Sequence, residues 1–346
     1  MFNFAKCGNP LKRRRMYSKK AKMKLKNSVK DIKVNSLKAW ILAARPKTLA
    51  GAAVPVMIGA TFAFVDTNVH ISVLPTVLCL LFALTMQINA NLINDYFDFI
   101  RGKDDKHRLG PRRACAQGWI SIEKMKRAII FFISLSCLIG LPLISYGGWM
   151  MLLIGALCVL FSFLYTTYFS SRGMGDLLVL LFFGLVPVCG TYYFAVTSSF
   201  CIPFYIFVAA FACGLVIDSL LVVNNYRDID NDERVGKITL VVRLGRRKSE
   251  LLYLLTGYVA CLLGLVFVAN GFIFCFIFPL IYLFFHTRTY QEMARISKGK
   301  ALNMILEKTA RNILIYGLLI VFGLLFDYIL LNRNPLTLNI YLTLNI

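Results

Sequence analysis

ISVLPTVLCLLFALTMQINANLINDYFDFIRGKDDKHRLGPRR, residues 71–113, decides how this chain is read. Its first part is apolar for long enough to cross a bilayer, which takes about 20 residues. Four aspartates (Asp95, Asp98, Asp104 and Asp105) then arrive among basic residues. An apolar helix ending in carboxylates poses two questions: where the membrane lies, and what the charges hold.

The same texture runs through the chain. Of 346 residues, 58% are hydrophobic and only 16% charged, and the mean hydropathy is +0.67. A soluble domain carries about a quarter charged residues. Nine apolar spans are legible, at 48–65, 71–94, 127–146, 148–169, 177–197, 203–223, 251–269, 270–287 and 312–332. YGG at 146–148 and Asn270-Gly271 supply the tightest turns between them. The pattern predicts an all-α integral membrane protein. Residues 1–37 form a basic tail, 38–332 one membrane domain, and 333–346 a short C-terminal tail.

A net charge of +22 would suit nucleic acid, but its distribution argues otherwise. With nine alternating spans, every Lys and Arg except Arg333 falls on one side. That is the positive-inside pattern. It places the N-terminus in the cytoplasm, the C-terminus outside, and leaves no role for nucleic acid. The basic tail suits anionic lipid headgroups. No short apolar region with a small-residue cleavage site follows it, so it does not read as a signal peptide. Ten cysteines are scattered without a CxxC pair and read as small packing residues.

The motif at the end of the second span has an echo. VVNNYRDIDNDERVGKITLVVRLG, residues 222–245, also runs from an apolar helix into Asn, Asp and a basic loop. Residues four apart share a helix face. Asn94 and Asp98 form one such pair, with Asp95 and Asp104 nearby, and Asn224, Asp228 and Asp232 form a ladder. By alternation both clusters lie at the cytoplasmic surface. Carboxylates near a helix C-terminus oppose the helix dipole, and the membrane boundary adds desolvation. Something cationic must offset them. Surface salt bridges with Arg101, Lys103, Arg227 or Arg234 are one answer, but such pairs contribute little. Divalent metal is the other, since carboxylate and amide oxygens suit Mg²⁺. Two such sites facing one cleft would clamp a diphosphate. Arg112, Arg113, Arg172 and Lys237 are then candidates to neutralise it, with Tyr165 and Tyr168 at the inner end of the fourth span.

These residues resemble the UbiA superfamily of intramembrane prenyltransferases, most of all its menaquinone branch, MenA. NDYFDFIRGKD at 94–104 is similar to that branch's first motif, and NNYRDIDNDERVGKITLVVRLG at 224–245 to its second. RPKTL at 45–49, GPRRACAQGWISIEKMKRA at 110–128 and GDLLVLLFFGLVPVCGTYY at 175–193 also resemble the branch. Gly102 stands where other branches carry a motif aspartate, and Asp104 follows two residues later, as in the MenA type.

The resemblance implies nine helices around a central cavity that opens toward lipid. It implies two Mg²⁺ ions, held by Asn94, Asp98 and Asp95 or Asp104 on one side, and by Asn224, Asp228 and Asp232 on the other. The implied substrates are a polyprenyl diphosphate and 1,4-dihydroxy-2-naphthoate, giving demethylmenaquinone at a bacterial plasma membrane. Arg45 and Lys47, beside the first span, are acceptor-binding candidates. A relative using another acceptor, such as 4-hydroxybenzoate, remains an alternative. A cation transporter is the second. Transport groups usually sit at depth, however, and only Asp218 falls near mid-span.

Overall fold

The computed structural model describes residues 32–102, 109–196 and 201–333. Asp104 and most of both tails lie outside the described residues. The architecture is all helical. In chain order the helices are α1 (Leu37–Ala44), α2 (Ala50–Asp66), α3 (Val73–Ile100), α4 (Ile122–Gly147), α5 (Met150–Ser171), α6 (Gly175–Ala195), α7 (Phe204–Arg234), α8 (Leu240–Ala269), α9 (Ile273–Ile296) and α10 (Leu302–Arg333). Among the described residues, α3 to α10 are eight helices long and apolar enough to cross a membrane, and α1 with α2 makes a bent ninth. The chain is a multi-pass membrane protein.

Ser36 caps α1 by accepting a hydrogen bond from the Ala39 N–H at 3.3 Å. Arg45 then turns to φ +52° and Pro46 opens the next turn. Proline disfavours a helical residue before it, which explains why α1 stops there. The two helices meet at a bend of 49°. At Gly148 and Gly271 the backbone takes φ of +69° and +80°, so the two tight turns fall where the sequence places them.

Several helices overrun the apolar spans that announced them. The structure extends the expected 71–94 to Ile100, 203–223 to Arg234, and starts the last helix at Leu302 rather than 312. The cause is physical. Apolar length follows bilayer thickness, whereas a helix continues as long as its polar end finds partners. Both acidic motifs therefore begin on regular helix.

α7 lies innermost. Of its most apolar stretch 72% is buried, against 6% for α5, which is open both to the outside and to the interior cavity. α7 packs on α6, α8 and α10, while α2 packs on α3, α6 and α10. α3 closes the ring against α4, α5 and α6. Where α6 crosses α7, α6 loosens into a π-helical stretch at Leu180–Leu185. Such bulges let two backbones adapt to each other. Gly184 sits at the crossing, and a Cβ there would stand 2.5 Å from the Ala210 carbonyl oxygen and 2.9 Å from the Gly214 Cα.

Gly184→Val is therefore expected to lower the thermal midpoint in detergent, by an overpacking cost of about 1–3 kcal/mol. Gly190→Ala, with nothing near the added methyl, should leave the midpoint unchanged. Equal effects from both would remove the close crossing as the cause.

Candidate active site

A cavity of about 1580 Å³ lies inside the ring. Phe82, Met86, Phe161, Phe182 and Val186 line its apolar part. Asn94, Asp98, Asn224, Asp228 and Asp232 line its polar end, so the structure brings both predicted clusters to one cavity.

The first cluster is built on the last turns of α3. Asn94 Oδ1 accepts the Thr166 hydroxyl of α5 at 2.6 Å. Asp98 meets the Arg113 guanidinium at 2.6 Å, and both are largely buried. Asp95 departs from its expected role as a ligand. Its two oxygens accept the backbone N–H groups of Ala114 and Cys115 at 2.8 and 3.0 Å, and it does not line the cavity. The reason is helical geometry: Asp95 points to a different face from Asn94 and Asp98. Its carboxylate instead pins the loop before α4 over the end of α3.

The second cluster sits on the last turns of α7 around one buried cation. Arg227, 2% exposed, donates to Asp228 through Nε at 2.9 Å and Nη2 at 2.5 Å. It also donates to Asn224 Oδ1 at 3.0 Å and to Asn303 Oδ1 of α10 at 2.9 Å. The Asn303 amide then donates to the Leu109 carbonyl at 2.8 Å. One chain of hydrogen bonds thus runs from the second motif through α10 to the segment following the first. Lys237 meets Asp232 at 2.9 Å.

The remaining predicted residues separate into two groups. Arg113, Lys237, Tyr165, Arg45 and Lys47 line the cavity. Lys47 also meets Glu307 of α10 at 2.7 Å, with both side chains exposed. Arg112, Tyr168 and Arg172 do not line it, which corrects their expected place. The regular α-helix of α5 ends at Thr167, so Tyr168 leaves the face that holds Tyr165. The Arg172 guanidinium stacks over the Tyr168 ring at 3.5 Å from its centroid. Asp104 lies outside the described residues. Sequence reading missed Thr166, Asn303 and the cavity-lining Asp176.

The donor set suits a hard cation, because the lining acids and amides offer oxygen only. Among the described residues no three His, Cys, Asp or Glu side chains converge into a closed metal cage. Magnesium fits such an open arrangement, since it usually binds through one or two carboxylates plus substrate phosphates.

Comparison with known proteins decides the family. Residues 52–308 match the UbiA prenyltransferase family. The chain belongs to that family. A 1,4-dihydroxy-2-naphthoate octaprenyltransferase of Escherichia coli is 34% identical over 306 residues, covering 84% of this chain and 96% of that protein. The enzyme of the same name from Haemophilus influenzae is 36% identical over 245 residues, covering 67% and 77%. Among solved structures, a UbiA homologue from Aeropyrum pernix aligns with a TM-score of 0.60 at 16% identity, covering 80% of this chain and 97% of that one. A UbiA homologue from Archaeoglobus fulgidus, bound to DMAPP and Mg²⁺, aligns with a TM-score of 0.54 at 13% identity, covering 82% and 98%. These two share the fold. As a UbiA-family member the chain is a prenyltransferase.

Arg227 organises the second cluster. Breaking a buried ion pair by removing one partner costs about 3–5 kcal/mol. Arg227→Met should therefore lower the thermal midpoint more than Asn303→Ala, which leaves the Arg227–Asp228 pair in place and removes one guanidinium hydrogen bond and the bond to Leu109. Equal midpoints for the two variants would contradict the hub.

Proposed function

We propose that the protein transfers a polyprenyl group from an allylic polyprenyl diphosphate to 1,4-dihydroxy-2-naphthoate, releasing diphosphate and CO₂. The product is the prenylated hydroquinone, the reduced form of demethylmenaquinone. The gathering of Asn94, Asp98, Asn224, Asp228 and Asp232 at the polar end of an apolar cavity carries the transfer chemistry. The naphthoate acceptor is supported by the 34% identity to the Escherichia coli enzyme across 96% of that enzyme's length.

In this reading Asn94 and Asp98 would hold one Mg²⁺, and Asn224, Asp228 and Asp232 another. Bound there, Mg²⁺ would supply Lewis acidity and neutralise diphosphate charge. Arg113, Arg227 and Lys237 reach the same end and add positive charge where the leaving group gathers electrons. The allylic C–O bond breaks, its electron pair departs on the diphosphate, and a delocalised cation remains. The apolar wall takes the isoprenoid tail. The segment pinned by Asp95 helps keep water from the cation. The electron-rich naphthoate ring captures the cation, and its carboxyl group leaves. The site lies on the cytoplasmic side of a bacterial plasma membrane, with the N-terminus inside and the C-terminus outside.

The test is prenyl transfer in liposomes with Mg²⁺, the naphthoate and 4-hydroxybenzoate as rival acceptor. Wild type should prenylate the naphthoate. Asp98→Ala and Asp228→Ala should each lower kcat by about 10²-fold or more, the scale of losing one transition-state stabiliser. Turnover of the rival alone would reassign the acceptor, and unchanged rates in both variants would refute the site.

A further inference from the structure

A second acidic feature lies at the same cavity, away from both motifs. Asp176 is in the first turn of α6, 8% exposed, and lines the cavity. Its Oδ1 is buried and has no hydrogen-bond partner among the described residues. Asp218 of α7 is 4% exposed, does not line the cavity, and its Oδ1 is likewise without a partner there. The two carboxylates lie close enough to feel each other's charge. Tyr165 of α5 packs beside Gly175, the residue before Asp176: a Cβ on that glycine would stand 3.6 Å from the tyrosine ring.

Such groups are expensive. A buried carboxylate oxygen without a partner loses its hydration and gains nothing in return. Helix geometry also keeps Asp218 apart from the motif: six residues before Asn224 and ten before Asp228, it sits roughly 9 and 15 Å deeper along α7. A role in the metal clusters does not account for it. Asp176 Oδ1 is enclosed by protein, whereas Oδ2 has no hydrogen bond among the described residues and is left open to a hydroxyl or N–H donor in the cavity. The aromatic acceptor carries phenolic hydroxyls, and the allylic cation must form within reach of its ring.

We propose that Asp176 binds a phenolic hydroxyl of the acceptor and removes its proton as the ring attacks. This inference rests on the acceptor reading above. The O–H of the acceptor donates to Asp176 Oδ2, the carboxylate oxygen that is not enclosed by protein. As the carboxyl-bearing ring carbon bonds to the allylic carbon, the proton of the neighbouring hydroxyl passes to Asp176 and that C–OH becomes a neutral ketone. The carboxylic acid now lies β to that carbonyl. Its C–C bond breaks, CO₂ leaves, and the acid proton moves to the carbonyl oxygen, restoring the phenol. The proton on Asp176 then passes to the departing diphosphate. No oxidant or reductant is consumed.

The experiment uses the full-length protein in liposomes, and Asp176→Asn, which keeps size and one acceptor oxygen but takes up no proton. Its kcat for the naphthoate should fall by about 10²–10⁴-fold, the range for losing general base catalysis. Thermal stabilisation by Mg²⁺ with an allylic diphosphate should match wild type, which shows a folded chain with the diphosphate site intact. A second measurement uses the two monomethyl ethers of the naphthoate. On wild type, one ether should lose at least tenfold in kcat/KM, and on Asp176→Asn that penalty should vanish. Transfer by Asp176→Asn within threefold of wild type would overturn the proposal, as would the same ether penalty in both proteins. If Asp176→Asn is not stabilised by the diphosphate, the wild-type ethers decide: equal kcat/KM for the diol and both ethers refutes the role. Failure of wild type to use the naphthoate at all would instead overturn the acceptor reading, and this inference with it.

Discussion

The cost of carboxylates at the edge of an apolar cavity governs this structure. Asp98 and Asp228 line that cavity, and each is met by a buried guanidinium, Arg113 for one and Arg227 for the other. Neither arginine acts alone. Arg113 belongs to the loop whose next two backbone N–H groups are held by Asp95. Arg227 is held by Asn303, which in turn holds the Leu109 carbonyl. Charge neutralisation at the site and closure of the segments over it are therefore one network. A buried ion pair contributes little net stability compared with apolar packing, so its presence at this cost argues for use.

The rest of the fold serves that end of the cavity. α7 is buried enough to carry charges on a fixed axis, while α5 and α6 bring Tyr165, Thr166 and Asp176 against it. The close α6–α7 crossing at Gly184 and Gly214 sets how near those side chains come. The apolar wall and polar end together match a substrate with a long hydrocarbon tail and a diphosphate head. The molecule thus separates the two jobs of such chemistry: hiding a reactive cation from water, and stabilising the anion that leaves.

What was legible in the sequence was local. The ladder Asn224, Asp228 and Asp232 follows from the helical repeat alone, and α7 does run unbroken to Arg234. The turns at Gly148 and Gly271 were equally plain, because glycine there takes positive φ. Distant partnerships were not legible. Asp95 looked like its neighbours, but its partners lie 19 and 20 residues away on a loop. Arg227 finds Asn303 across 76 residues. Tyr165 and Tyr168 looked like a pair until the end of the α-helix at Thr167 separated them. Asp176 sat inside a stretch already compared with relatives, yet only its burial and unmet oxygen single it out. Hydropathy located the spans and missed their polar ends, since it measures affinity for lipid rather than helix length.

The central claim is that both motifs grip one diphosphate jointly through metal. It is tested most directly by titrating an allylic diphosphate into wild type, Asp98→Asn, Asp228→Asn and the double variant, each with and without Mg²⁺. The account predicts Mg²⁺-dependent binding in wild type, a large loss in either single variant, and little further loss in the double. Binding that ignores Mg²⁺, or losses that simply add, would show two independent charge clusters and contradict it.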